Sequence, residues 1–114
     1  MRHQMKLFKE PFFRIKGKKK IIEVRLFDEK RQKIQIGDEI EFSLIDNQDE
    51  KILVKVIGLS RFKTFKELYS SFSYKMFGHP DGTTLSEQIR DIQECYSNKE
   101  EEKYGALGIH IKLI

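Results

Sequence analysis

Residues 106–114 (ALGIHIKLI) alternate cleanly, with Leu107, Ile109, Ile111 and Leu113 on one face, and they stand at the far end of the chain from every other strand-like run. A strand needs neighbours, so this segment must return across some fifty residues of helical pattern to pair with the earlier runs. That requirement constrains the fold more than any other feature. Residues 21–27 (IIEVRLF) are rich in β-branched residues, residues 39–45 alternate strictly, and residues 51–59 (KILVKVIGL) read as a more buried strand with Gly58 as a bulge. Gly37-Asp38 makes a tight turn and 47–50 a polar hairpin connection. Short strands with glycine bends tend to curl towards a barrel.

The remaining segments read as helices. Glu10-Pro11 opens a short one bearing Phe12, Phe13 and Ile15, with Gly17 as a left-handed cap. Thr64 caps a second whose apolar positions are Phe65, Leu68, Tyr69 and Phe72. Thr84-x-x-Glu87 and Ser97-x-x-Glu100 are capping boxes. The first opens a stripe of Leu85, Ile89 and Ile92 finished by Cys95 or Tyr96, with Cys95 expected as a core thiol, and Gly105 stops the second helix. Residues 69–77 (YSSFSYKMF) are expected to pack in the core after a helix, with a lid over a cleft as the alternative. The expected fold is α+β: one domain over residues 1–114, a small β-barrel with helices at its side.

At 114 residues and 39% hydrophobic, the chain supports one modest core and no second. No apolar run reaches the ~20 residues of a membrane span, so no membrane partner is expected. The single Cys95 and the absence of a secretory pattern favour a reducing cytoplasm, and a monomer is the default expectation. The histidines and Cys95 lack metal-ligand spacing, and no cofactor is expected. Gly17 and the lysines after it do not form a P-loop.

The net charge of +4 is unevenly spread. Residues 14–20 (RIKGKKK) hold five positive charges and no negative one, whereas 98–103 (NKEEEK) are acidic. A basic end of this kind attracts phosphate. On the strand that follows, Glu23 and Arg25 share a face about 6.6 Å apart by strand rise, flanked by Ile21 and Phe27. Charges among apolar neighbours are normally paired or functional. Lys20 stands at the rim of the same face.

The segment GKKKIIEVRL at 17–26 resembles the hallmark of the ASCH domain family, named for homology to the activating signal cointegrator and part of the PUA-like superfamily. The resemblance runs on through Asp28–Arg31, Ile36–Ile40 and Phe62–Tyr69, then Tyr96-Ser97 and Glu101, and ends at Tyr104–Ile109, so it spans nearly the whole chain. It implies a PUA-like barrel and a cleft lined by the Lys/Glu/Arg segment. It also implies RNA binding, the role attributed to most members. One bacterial branch is an amidohydrolase that removes the acetyl group from N4-acetylcytidine, using a lysine at the position of Lys20, a threonine at that of Glu23, and a distant glutamate. Lys20 and Arg25 match the family pattern, with Lys19 as the alternative to Lys20 in register; Glu23 replaces the threonine, and the nearest acidic position before the Thr84 helix, for the glutamate, is Asp81.

Two functions follow as expectations. In the first, the domain binds RNA or a modified nucleoside. Lys18 and Lys19 attract phosphate, while Lys20, Glu23 and Arg25 face the ligand and read base edges. Tyr96 and Tyr104 are candidates to stack on a base. Phe27 is expected to pack in the core. In the second, the domain is a small hydrolase of a modified nucleoside, with Lys20 as base or nucleophile and Glu23 activating a water.

Overall fold

The computed structural model describes residues 1–114. In chain order the elements are β1 (Arg2–Leu7), α1 (Lys9–Lys16), β2 (Ile22–Leu26), β3 (Glu39–Leu44), β4 (Lys51–Phe62), α2 (Phe65–Ser71), α3 (Leu85–Gln93), α4 (Asn98–Tyr104) and β5 (Ala106–Leu113). Short 3-10 turns lie at Arg31–Lys33 and Tyr74–Met76. The five strands form one curled sheet in the order β1-β3-β4-β5-β2, parallel between β1 and β3 and antiparallel elsewhere.

β5 does return across the helical segment. It inserts between β4 and β2, and its pairing with β4 runs from Val54↔Leu113 to Phe62↔Ala106. The irregularity between Val56 and Gly58 is the bulge expected at Gly58. It leaves the strand free to continue to Phe62, three residues beyond the run read from sequence.

The sequence pattern predicts no strand before residue 21, and β1 is an addition to it. The buried positions of β1 are His3, Met5 and Leu7, a strict alternation whose first member is polar. His3 is tolerated inside because its Nε2 lies 2.8 Å from Asp38 Oδ2. Asp38 also accepts from the Gln35 amide at 3.0 Å and from the Met1 amino group at 3.3 Å.

Two cores lie on opposite faces of the sheet. Inside the curl, Phe12 and Ile15 of α1 pack on Met5, Ile40, Phe42, Val54, Leu107 and Ile109. On the outer face, α2 sets Phe65, Leu68 and Tyr69 against Ile22, Val24, Leu26 and Ala106. β5 is therefore covered on both sides, and at Gly108 a Cβ would come within 2.9 Å of Leu68 Cδ1, so the glycine lets α2 settle onto the strand.

The barrel takes the form of a half-barrel. β1 and β2 are the two ends of the sheet and do not pair with each other. Thr64, Thr84 and Ser97 cap α2, α3 and α4 as their motifs predict, both boxes being closed, and Gly105 ends α4 at φ 76°. The end of α1 differs from expectation. Gly17 has φ −84°, and Lys18 takes the left-handed turn at φ 63°. No helix is long and apolar enough to cross a membrane.

Candidate functional site

The candidate site lies along the free edge of β2. Alternation turns Ile22, Val24 and Leu26 into the outer core and turns Glu23 and Arg25 the other way, towards the seam left between β2 and β1. Arg25 bridges that seam, donating from Nη2 to the Lys6 carbonyl at 3.0 Å.

Glu23 is 4% exposed and holds both cations. Lys20 Nζ lies 2.9 Å from Oε1, and Arg25 Nε donates to Oε2 at 2.8 Å. Burial by itself would raise the Glu23 pKa. The adjacent charges of Lys20 and Arg25 and their hydrogen bonds outweigh it and hold the carboxyl below the usual range. Arg25 is also desolvated, which would lower its pKa, but the Glu23 charge prevails and raises it.

The second wall comes from the segment after α2. Ile21 donates to the Met76 carbonyl at 3.0 Å, and Lys20 pairs with Phe77 in an isolated antiparallel bridge. Gly78 then passes over Lys20 at φ +80°, where a Cβ would fall 2.7 Å from the Lys20 Cβ. Only glycine permits that approach. The aromatic cluster read from residues 69–77 thus divides: Tyr69 and Phe77 pack edge-on at 4.7 Å and are buried, and both also line the site.

These pieces enclose a cavity of about 580 Å³, within the size range of ligand sites. Lys20, Glu23, Arg25 and Tyr96 all line it, so four of the residues read from sequence converge there. Tyr96 stacks on Phe65 at 5.8 Å, and burial raises its hydroxyl pKa against the opposing pull of Arg25. The structure adds residues that the sequence does not single out. Tyr69 lines the inner wall, His79 the loop side, and Phe8, 64% exposed, stands at the corner between β1 and α1. Burial and the charges of Lys20 and Arg14 push His79 below its ordinary range.

The other expected residues lie elsewhere. Lys18 borders a small crevice with Ile15 and Ile111, and Lys19 faces a hollow beside the 78–82 loop. Tyr104 lines a hollow of about 910 Å³ and donates to Glu29 at 3.3 Å. Arg61, Lys63, Glu101, Glu102 and Lys103 also line that hollow, but none of them is ion-paired there as Lys20 and Arg25 are with Glu23. Arg61 lies over the Phe27 ring at 3.8 Å, and Glu101 accepts from the Phe65 amide at 2.7 Å, so these two groups serve the fold. Phe27 packs against the inner core as expected. Cys95 is not a core thiol: α3 ends at Gln93, helical periodicity stops there, and Cys95 is exposed on the rim of the cavity while Tyr96 turns inward. His110 is half-buried, with Nε2 2.7 Å from Ser60 Oγ.

Comparison with known proteins agrees with this architecture. No curated protein matches the chain. The crystal structure of the hypothetical protein PH0355 is similar over 100% of both chains, at 34% identity and a TM-score of 0.89. The solution structure of the protein PF0455 from Pyrococcus furiosus is similar over 100% of this chain and 98% of its own, at 29% identity and a TM-score of 0.73. The ASCH domain matches residues 5–114, and with the motif at 17–26 forming one wall of the cavity, the chain belongs to the ASCH domain family.

Proposed function

We propose that this domain binds RNA or a nucleotide, taking an unpaired base into the cavity beside β2. The observation that carries the reading is the convergence of Lys20 and Arg25 on that cavity, braced by Glu23 and faced by Tyr96. Lys6, Lys20 and Arg25 against Glu23 and Glu94 leave the cavity with a net positive charge. Arg25 commits its Nε to Glu23 and one Nη2 hydrogen to Lys6, which leaves three N–H groups, and Lys20 keeps two. Such donors suit the carbonyl oxygens and ring nitrogens of a base, or a phosphate oxygen. Both Glu23 oxygens are engaged, so Glu23 serves to position the cations, and Lys20 and Arg25 make the contact. Tyr69, Tyr96 and Phe8 offer ring faces and edges to a base. The generally RNA-binding character of the family supports the same reading.

The alternative, deacylation of a modified nucleoside such as N4-acetylcytidine, needs a base. Glu23 is a weak one, since the two cations lower its proton affinity and occupy both its oxygens. Absorbance of N4-acetylcytidine incubated with the protein tests this directly: acetyl loss that disappears in Lys20→Ala would establish the hydrolase.

For binding, isothermal titration with cytidine and uridine monophosphates and with a short single-stranded RNA is decisive. The wild type is expected to bind, and Lys20→Gln to bind about tenfold more weakly through loss of a charge-assisted hydrogen bond. Absence of binding by the wild type, or a variant of equal affinity, overturns the reading.

A further inference from the structure

The cavity does not end at its own walls. His79 lines it and also lines a neighbouring hollow of about 550 Å³ beside the 78–82 loop. Arg14 from the last turn of α1, Lys19 and Lys75 surround that hollow, and none of the three has an ion-pair partner. Asp81 is the one carboxylate there. Three unpaired cations against one carboxylate make a basic hollow open to solvent.

On the other side, Arg25 and Lys6 line both the cavity and a hollow of about 710 Å³ across the seam. Lys30 and Arg31 join them there. Lys30 donates to the Gln4 carbonyl at 3.0 Å and is pushed below its ordinary range, first by burial and then by the charges of Arg31 and Arg25. Arg31 gives Nη1 to Asp28 at 2.8 Å, while its Nε is buried with no partner. Glu41 and Asp49 also line this hollow, and Glu41 already lies within reach of Arg2 and Lys51. Crowded cations are relieved by an anion.

A basic hollow, a cavity with aromatic walls and a second basic hollow therefore follow one another, joined by shared residues. We propose that they form one groove for a single strand of RNA. One base enters the cavity beside Lys20 and Arg25. The phosphates on its two sides lie over Arg14, Lys19 and Lys75 at one end and over Lys30 and Arg31 at the other. The proposal rests on the reading of the cavity as a nucleotide site and extends it to a strand. A duplex does not fit, because the inserted base must be unpaired.

The test uses the full chain with four probes: a fluorescein-labelled seven-nucleotide single-stranded RNA of mixed sequence, single-stranded DNA of the same sequence, the RNA duplex, and a mixture of the four nucleoside monophosphates. Two variants address the ends, Lys19→Glu with Lys75→Glu, and Lys30→Glu, with Lys30→Ala in reserve should the reversal impair folding. Each is expected to weaken the single-stranded RNA about tenfold or more and to flatten the plot of log affinity against log salt by about 0.7 for each phosphate no longer neutralised. Monophosphate binding should fall by less than oligonucleotide binding, since the cavity keeps Lys20 and Arg25, and Lys30→Ala, which places no new carboxylate in the field of Arg25, should leave it within about twofold of wild type. Oligonucleotide affinity indifferent to both variants, with monophosphate binding intact, overturns the groove and leaves the cavity as an isolated site. Tighter binding of the duplex overturns base insertion, and equal binding of DNA overturns the assignment to RNA. Failure of all four probes to bind wild type removes the nucleotide reading itself, and the groove with it.

Discussion

Arg25 closes the seam of the sheet by donating from Nη2 to the main-chain carbonyl of Lys6 at 3.0 Å. β1 and β2, the ends of the sheet, have no ladder between them, and this side chain supplies a link where backbone pairing is missing. The same guanidinium neutralises Glu23 and faces the cavity. Structure and proposed recognition therefore depend on one residue.

Arg25→Ala leaves Glu23 buried with only Lys20 as partner and unlinks the seam. Breaking a buried pair costs about 3 kcal/mol, and urea denaturation should show a loss of that order. Arg25→Lys keeps a charge but cannot bond both Glu23 and Lys6 through a planar fork, so it should fall between wild type and alanine.

Two buried carboxyls contribute to the acid limb of stability. The ordinary Glu23 value of 4.5 is lowered in the fold, so its contribution is complete above that pH and fades as pH falls through the lower folded value. Asp38 falls from 3.8 to about 2, chiefly through its His3 hydrogen bond and then the Gln35 amide, so its contribution fades between those values. Wild-type stability should decline below about pH 4.5. Glu23→Gln and Asp38→Asn should each flatten part of that decline, measured as the denaturation midpoint at each pH.

Gly78 and Gly82 both have φ near +80°, but their surroundings differ. A Cβ at Gly78 meets Lys20, whereas one at Gly82 meets nothing within 4 Å. Gly82→Ala should cost only backbone strain, about 1 kcal/mol. Gly78→Ala should cost about 2 kcal/mol more, because strain and overlap add there, and it should shift the Lys20 resonances.

Phe8 is an exposed aromatic on the rim of the cavity. Its removal should leave stability within about 0.5 kcal/mol. If it stacks on a base, Phe8→Ala should weaken single-stranded RNA by about 1–3 kcal/mol. Calorimetry of folding and of binding on the same variant separates the two.

Lys20, Glu23 and Arg25 are legible in the sequence because period-two alternation places 23 and 25 on one face, and the fold keeps that face. β5 is legible for the same reason. β1 is not, because its buried set begins with His3, whose place inside depends on Asp38, 35 residues away. Tyr69 reads correctly as a helical core residue, but nothing local marks it as a cavity wall. His79 sits in a loop whose only signal is turn chemistry, and it reaches the site because Gly78 lets the loop cross Lys20. Tyr104 carries a family motif yet faces another hollow, since α4 ends beside Phe27, Arg61 and Ala106 rather than beside Glu23 and Arg25. Cys95 falls outside the core because the helical period that would bury it stops with α3 at Gln93.

An amide NMR titration of the full chain with cytidine and uridine monophosphates tests the nucleotide site most directly. Perturbations are expected to cluster at residues 20–25, 78–79 and 95–96, with the Arg25 Nε signal moving alongside them. Perturbations confined to the hollow around Phe27, Arg61 and Tyr104, or none at millimolar ligand, would contradict a nucleotide site beside β2.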